Sequence, residues 1–393
     1  SLYTNPESGF YDLEKGIANV GDVSRMKEVM ARARRGEQLV IGFIGGSITQ
    51  GSLSSTPQTC YAYRVYTWWK ETFPQAEFVY CNAGIGGTTS EFGAARVGTD
   101  LLAERPDFVI VEFSVNDEST EHFKETYEGL VRKILGAAWN PAVLLVHNVF
   151  YHNGANAQVM HAAIGRHYDL PSVSMQSSIY PEVVAGRIEN RAITPDDLHP
   201  NDEGHALVAS VITYFLEQVR SGKLTGSNAS FAPGAKLPVP LTKNAYEDSV
   251  RIRNAAAPDM AGLQQPTLDG FTPDETAQNG ITDCFRYGWT AEKTGDAITF
   301  LVEGSCIAVQ YRKSVKLPAP AALAVVDGDE EHAVRLDANF DESWGDKLEL
   351  TTLLEHGKEG RHTVTIRLAE THEDDAVPFY LVSVIAAGRR GRD

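Results

Sequence analysis

The stretch that decides the fold is Val40-Ile-Gly-Phe-Ile-Gly-Gly-Ser-Ile-Thr-Gln-Gly-Ser52. A continuous apolar run ends in two glycines, and the first polar side chain after them is Ser47. An unbroken apolar run of this length reads as a strand buried on both faces, which belongs to a parallel sheet covered by helices. In such sheets, functional groups gather where the strands end at their carboxyl edges. Ser47 is therefore either a turn residue or a nucleophile presented at that edge.

The neighbouring segments extend the same pattern. Residues 22–36, DVSRMKEVMARARRG, read as an amphipathic helix closed by Gly36, and 59–74 as a helix stopped by Pro74. EFVYCNAG (77–84) is a second strand, and Ser90 is placed to cap the helix that follows. DFVIVEFS (107–114) is a third strand. Phe123, Tyr127, Leu130, Val131 and Ile134 then recur at helical spacing. AVLLVHNVF and LPSVSM complete five strands, and a long helix runs on from Asn201. The expectation is a doubly wound α/β domain over residues 1–222 with a five-stranded parallel sheet.

Residues 223–245 lie in a Gly-, Pro- and Ser-rich stretch that reads as a linker. Beyond it the hydrophobic period becomes two. Ile307, Val309 and Tyr311 alternate with Ala308, Gln310 and Arg312, and Val364, Ile366 and Leu368 alternate with Thr365 and Arg367. Asp327-Gly328 separates two alternating runs, a hairpin signal. Residues 246–393 are expected to form an all-β sandwich of jelly-roll type.

Length and composition agree with two folded domains: 393 residues, 42% of them hydrophobic. The net charge of −17 splits into −10 for residues 241–393 and −7 for the rest. Acidity spread this evenly repels phosphate backbones and anionic membranes, so neither nucleic acid nor membrane is an expected partner. No apolar run approaches the ~20 residues of a membrane helix. Cys60, Cys81, Cys284 and Cys306 lack the close pairings of zinc sites and read as free thiols, with Cys60 and Cys81 buried. His199 and His205 stand six apart without a third ligand, so no metal or cofactor is expected. A cytoplasmic setting follows.

Read in order, the carboxyl edges carry GGSITQG, NAGIGGTTS and SVND, and PDDLHPNDEGH precedes the last helix. Each is an ordinary turn by itself. Together they supply a serine hydrolase. A serine hydroxyl needs a base to become nucleophilic, and imidazole is poised near neutral pH to provide one. His199 fills that role, and Asp196, three residues earlier, can orient its ring. The N–H groups of Ser47 and Gly87 and the Asn116 amide are the oxyanion donors. Asp197 competes with Asp196 and is expected to be solvated.

These four blocks, in this order, resemble the SGNH (GDSL-type) hydrolase superfamily, across residues 35–220. The resemblance implies a flavodoxin-like domain and a catalytic set of Ser47, Gly87, Asn116, Asp196 and His199. Gly46 departs from it, standing where Gly-Asp-Ser would place aspartate. With a β-sandwich like a carbohydrate-binding module behind it, the chain is similar to carbohydrate esterase family seventeen, the acetylmannan esterases. That implies removal of acetyl groups from acetylated manno-oligosaccharides. Trp344 and Trp289 are candidates to stack on sugar rings, Trp344 because of its polar, Gly-containing context. Tyr151, His152 and Asn153 could line the crevice. Two rivals remain: a lipase or lysophospholipase, which needs an apolar acyl channel, and a carbohydrate-binding protein on an inactive hydrolase scaffold.

Overall fold

The computed structural model describes residues 13–226 and 236–389. The chain divides between Lys243 and Asn244 into two compact units. Part of the expected linker, residues 227–235, lies outside the described residues. The segment after it belongs to the first unit, where the buried Glu128 carboxylate accepts the N–H groups of Leu241 (2.8 Å) and Thr242 (2.9 Å).

The first unit runs β1 (Ile17–Asn19), α1 (Ser24–Arg34), β2 (Gln38–Gly45), α2 (Ser47–Gln50), α3 (Tyr61–Thr72), β3 (Glu77–Gly84) and α4 (Ser90–Asp100). It continues with β4 (Phe108–Glu112), α5 (Glu121–Leu135), β5 (Ala142–His147), α6 (Gln158–His167) and β6 (Ser172–Ser174). The short helices α7 (Ile179–Val184) and α8 (Asn190–Ile193) lead to α9 (Asp202–Arg220). The sheet order is β1-β6-β5-β4-β2-β3. Its five parallel strands have the 2-1-3-4-5 order of flavodoxin-like folds. A sixth strand corrects the expected count: β1 pairs antiparallel with β6 at the edge. Three residues with mixed burial carry too little periodicity for sequence reading to find them.

Both faces of the sheet are covered. Phe108 and Ile110 of β4 join one core with Met26, Val29 and Met30 of α1, Trp69 of α3 and Phe215 of α9. The alternate residues Val109 and Val111 are equally buried on the opposite side, where α4, α5 and α6 pack on one another. Alternation along a strand thus feeds two helical layers. Asn201 caps α9 through a bond from Gly204 N–H to its side-chain oxygen (3.0 Å). Ser90 is not a cap: Thr89 holds that position, and Ser90 N–H and Oγ instead donate to Asp117 (2.9 and 2.6 Å).

The second unit is a sandwich of β7 (Val250–Ile252), β8 (Thr267–Asp269), β9 (Thr272–Pro273), β10 (Trp289–Ala291), β11 (Ala297–Glu303) and β12 (Cys306–Lys313) with later strands. These are β13 (Ala321–Val326), β14 (Val334–Asp337), β15 (Lys347–Leu354), β16 (Arg361–Glu370) and β17 (Phe379–Ala387). One sheet is ordered β15-β12-β17-β10-β9 with β7 also on β17, and the other β14-β13-β16-β11-β8. β13 and β14 pair antiparallel across Asp327-Gly328, both in the left-handed region (φ 53° and 70°). Ile298, Phe300, Val309, Val364 and Ile366 point into one shared core.

Candidate active site

The carboxyl edge of the first sheet collects the functional groups. β2 ends at Gly45, and Ser47 opens the single turn of α2, closed by bonds to Gly46 O and Ser47 O (3.0 Å each). The turn needs both glycines because it lies against its neighbours. A Cβ at Gly45 would stand 2.5 Å from Glu112 O, and one at Gly46 would fall on the Asn116 amide. An aspartate at position 46 would require the Asn116 amide to move from where it stands.

Ser47 Oγ lies 2.9 Å from His199 Nε2, and His199 Nδ1 lies 2.6 Å from Asp196 Oδ2. The spacing of three residues works because Asp196 wraps its own loop. Its Oδ1 accepts the N–H groups of Leu198 (3.1 Å) and His199 (2.8 Å) and the Thr194 hydroxyl (3.1 Å). Partial burial raises the pKa of the Asp196 carboxyl, but hydrogen bonds from the His199 ring, His199 N–H and Leu198 N–H outweigh it and hold it at about 2. The carboxylate is thus ionised where it faces Nδ1, which leaves Nε2 as the acceptor towards Ser47.

Asp197 points elsewhere. It accepts from Asn190 Nδ2 (2.7 Å) and pairs with Arg191 (3.0 Å), so it is an ion-paired loop residue rather than a simply solvated one. His205 bonds Tyr61 N–H through Nδ1 (3.0 Å) and Ser52 O through Nε2 (3.1 Å), which ties α9 to the loop after Ser47.

Two loops approach the serine from the other side. A Cβ at Gly86 would touch the Ser47 Cβ at 3.4 Å, so the loop after β3 packs directly on the turn that carries Ser47. Gly87 follows in the left-handed conformation (φ 70°) with open space where a side chain would be. Asn116, after β4, is held by its N–H to Phe113 O (3.1 Å) and stands against Gly46. Next to it, Asp117 accepts from Ser90 and meets His161 Nε2 (2.9 Å), and the His161 ring stacks on Tyr127 at 3.7 Å.

The sugar-contact candidates separate. Trp289 is 1% exposed and packs edge-on against Phe300 at 5.3 Å, so it is a core residue and not a sugar platform. Trp344 is 66% exposed, with its ring edge-on to Phe340. Tyr151 is buried, and its N–H donates to Asp197 O (2.7 Å), bringing the loop after β5 against the Asp196–His199 segment. His152, next in that loop, is exposed. Two groups escaped sequence reading: Glu112, fully buried beneath the turn that carries Ser47, and the Asp117–His161–Tyr127 cluster. A lone acid in the apolar run 108–113 was the available signal for Glu112.

A hydroxyl, an imidazole and a carboxylate in line at the edge of a flavodoxin-like sheet are the arrangement that serine hydrolysis requires. The model of the GDSL-like lipase/acylhydrolase family matches residues 43–207, which span all these groups. Over 98% of its length the chain is 64% identical to all of a two-domain esterase active on acetylated mannans, co-crystallized with mannopentaose (TM-score 0.91). A second structure of a two-domain esterase active on acetylated mannans is 65% identical over 97% of this chain and all of that one (TM-score 0.90). Among curated proteins none matches. Residues 43–207 are thus a GDSL-like lipase/acylhydrolase domain, and the chain as a whole belongs to the two-domain esterases. No helix among the described residues is long and apolar enough to cross a membrane.

Proposed function

We propose that this protein is a serine esterase that removes O-acetyl groups from acetylated manno-oligosaccharides. The 2.9 Å approach of Ser47 Oγ to His199 Nε2, with Asp196 behind the ring, carries the reading. The printed activity of relatives at 64–65% identity supports the substrate class. His199 Nε2 takes the Ser47 proton as Oγ attacks the acetyl carbonyl. The negative oxygen is met by the N–H groups of Ser47 and Gly87 and the Asn116 amide. The intermediate collapses, the bond to the sugar oxygen breaks, and His199 returns its proton to that oxygen. Water then gives a proton to His199 and attacks the acetyl-serine; the bond from Oγ to the acetyl carbon breaks, His199 returns the proton to Oγ, and acetate leaves. The ionised Asp196 stabilises the imidazolium formed in both steps.

No metal or cofactor is part of this scheme, and a neutral glycan is indifferent to the acidic surface. All four cysteines are free thiols, Cys60 and Cys306 buried and Cys81 and Cys284 partly so, which suits a reducing, cytoplasmic setting. The experiment is mass spectrometry of acetylated mannan and xylan oligosaccharides after incubation with wild-type protein and with Ser47→Ala. Loss of acetyl groups from mannan oligosaccharides with the wild type alone is the expected result. Equal deacetylation by Ser47→Ala ends the serine mechanism, and exclusive action on xylan ends the mannan assignment. A para-nitrophenyl ester series addresses the lipase alternative, where preference for eight carbons over two would replace this reading.

A further inference from the structure

Glu112 ends β4 directly beneath the nucleophile turn and is fully buried. Its Oε2 accepts from Thr49 Oγ1 at 2.7 Å, and the same hydroxyl lies 2.7 Å from the buried Tyr61 hydroxyl. The N–H groups of Gly46 and Thr49 and the Asn148 side chain also face the carboxyl. Its Oε1 has no hydrogen-bond partner. A chain of three oxygens thus runs from α3 through α2 to β4, and Ser47 sits on the segment it holds.

The surroundings disfavour a charge on this carboxyl. An ionised Glu112 would leave one negative oxygen buried and unbonded, which is costly in a dry interior. The donors around it offset the burial only in part. Tyr61 and Tyr127 are buried phenols held un-ionised by burial, so neither offers a counter-charge. Burial pushes His147 down to about 3, so it is neutral. Asp117 is a second carboxyl facing Tyr127. Arg96 reaches Gly45 O (3.3 Å), but its charge is paired with Asp100 (3.2 Å). The hydrogen-bond chain survives either state: with a proton on Oε2 it reverses, Glu112 donating to Thr49 and Thr49 to Tyr61.

We propose that Glu112 is a positioning residue for the esterase reaction: it holds the nucleophile turn through Thr49, and it supports turnover in its neutral form. The inference rests on Ser47 and its oxyanion pocket being the reacting site. A negative charge under the Gly46-Ser47 turn opposes the negative oxygen that develops above it, and only in the transition state. Ionisation of Glu112 therefore lowers kcat and leaves KM nearly unchanged. Burial raises this carboxyl to about 7, outweighing the bonds from Thr49 and its other neighbours, which puts the change within the working range.

The test is the pH dependence of kcat and KM for para-nitrophenyl acetate with wild type, Glu112→Gln, Tyr61→Phe and Ser47→Ala. Wild type should lose kcat on the alkaline side of a midpoint near 7, by on the order of tenfold. Glu112→Gln, which cannot ionise, should lack that descent, and Tyr61→Phe, which removes a donor to the chain, should move it to higher pH. If Glu112→Gln does not fold, the Tyr61→Phe shift decides. A wild-type profile without an alkaline descent, or a mutant profile superimposable on it, overturns the Glu112 role alone. Hydrolysis by Ser47→Ala overturns the underlying site assignment instead.

Discussion

The two units bury polar groups in different ways. In the β unit the buried charges are paired: Arg251 and Arg253 share Asp259, and His362 holds Asp327 at 2.6 Å. Its centre is apolar, built on Trp289, Phe300 and the alternating residues of two sheets. In the α/β unit, by contrast, Glu112 and His147 are fully buried at the carboxyl ends of adjacent strands without an ion-pair partner among the described residues, and burial pushes the first up to about 7 and the second down to about 3. Interiors rarely keep such groups, because each costs stability that better packing would recover. They lie under the edge that carries Ser47. The difference teaches that this edge is shaped by chemistry and the β core by packing.

The sharpest way to break that contrast is Ser47→Ala, which should abolish hydrolysis of para-nitrophenyl acetate while circular dichroism and the unfolding midpoint stay unchanged. Residual turnover at the wild-type rate would mean that the edge is not the reacting site. Next in size, Trp289→Ala should destabilise the β unit by about 3–5 kcal/mol, read from denaturant unfolding followed by fluorescence. A stable mutant with weakened glycan binding would return Trp289 to the role its burial denies. Asn116→Ala should lower kcat by about 10²–10³-fold with a smaller change in KM. The reverse split would remove it from the oxyanion site. The smallest effect belongs to Trp344→Ala: KM for acetylated manno-oligosaccharides should rise about fivefold, worth roughly 1 kcal/mol of stacking, with para-nitrophenyl acetate unaffected. Equal changes for both substrates would show a general loss of structure.

How much could be read in advance depended on the range of the interactions. The strand Glu77–Gly84 was legible to the residue, and Gln38–Gly45 nearly so, because continuous apolar runs ending in glycine are local patterns. Ser47, Asn116 and the Asp196–His199 pair were legible as motifs. Their meeting was not, since 152 residues separate Ser47 from His199. The edge strand β1 was missed for lack of length. Ser90 was misassigned as a cap because its partner, Asp117, comes from another loop. Trp289 looked like a binding aromatic because nothing local distinguishes a core tryptophan from a surface one.

By itself the sequence determined which segments become strands and helices, where the period changes from helix-covered sheet to sandwich, and which residue types wait at the strand ends. These depend on side-chain volume, polarity and glycine freedom within a few neighbours. Tertiary structure alone decided which aspartate faces the imidazole, that a side chain at position 46 would meet the Asn116 amide, and that a glutamate lies buried beneath the serine. Each is a matter of what distant segments bring within a hydrogen bond, and a linear pattern contains no such distances.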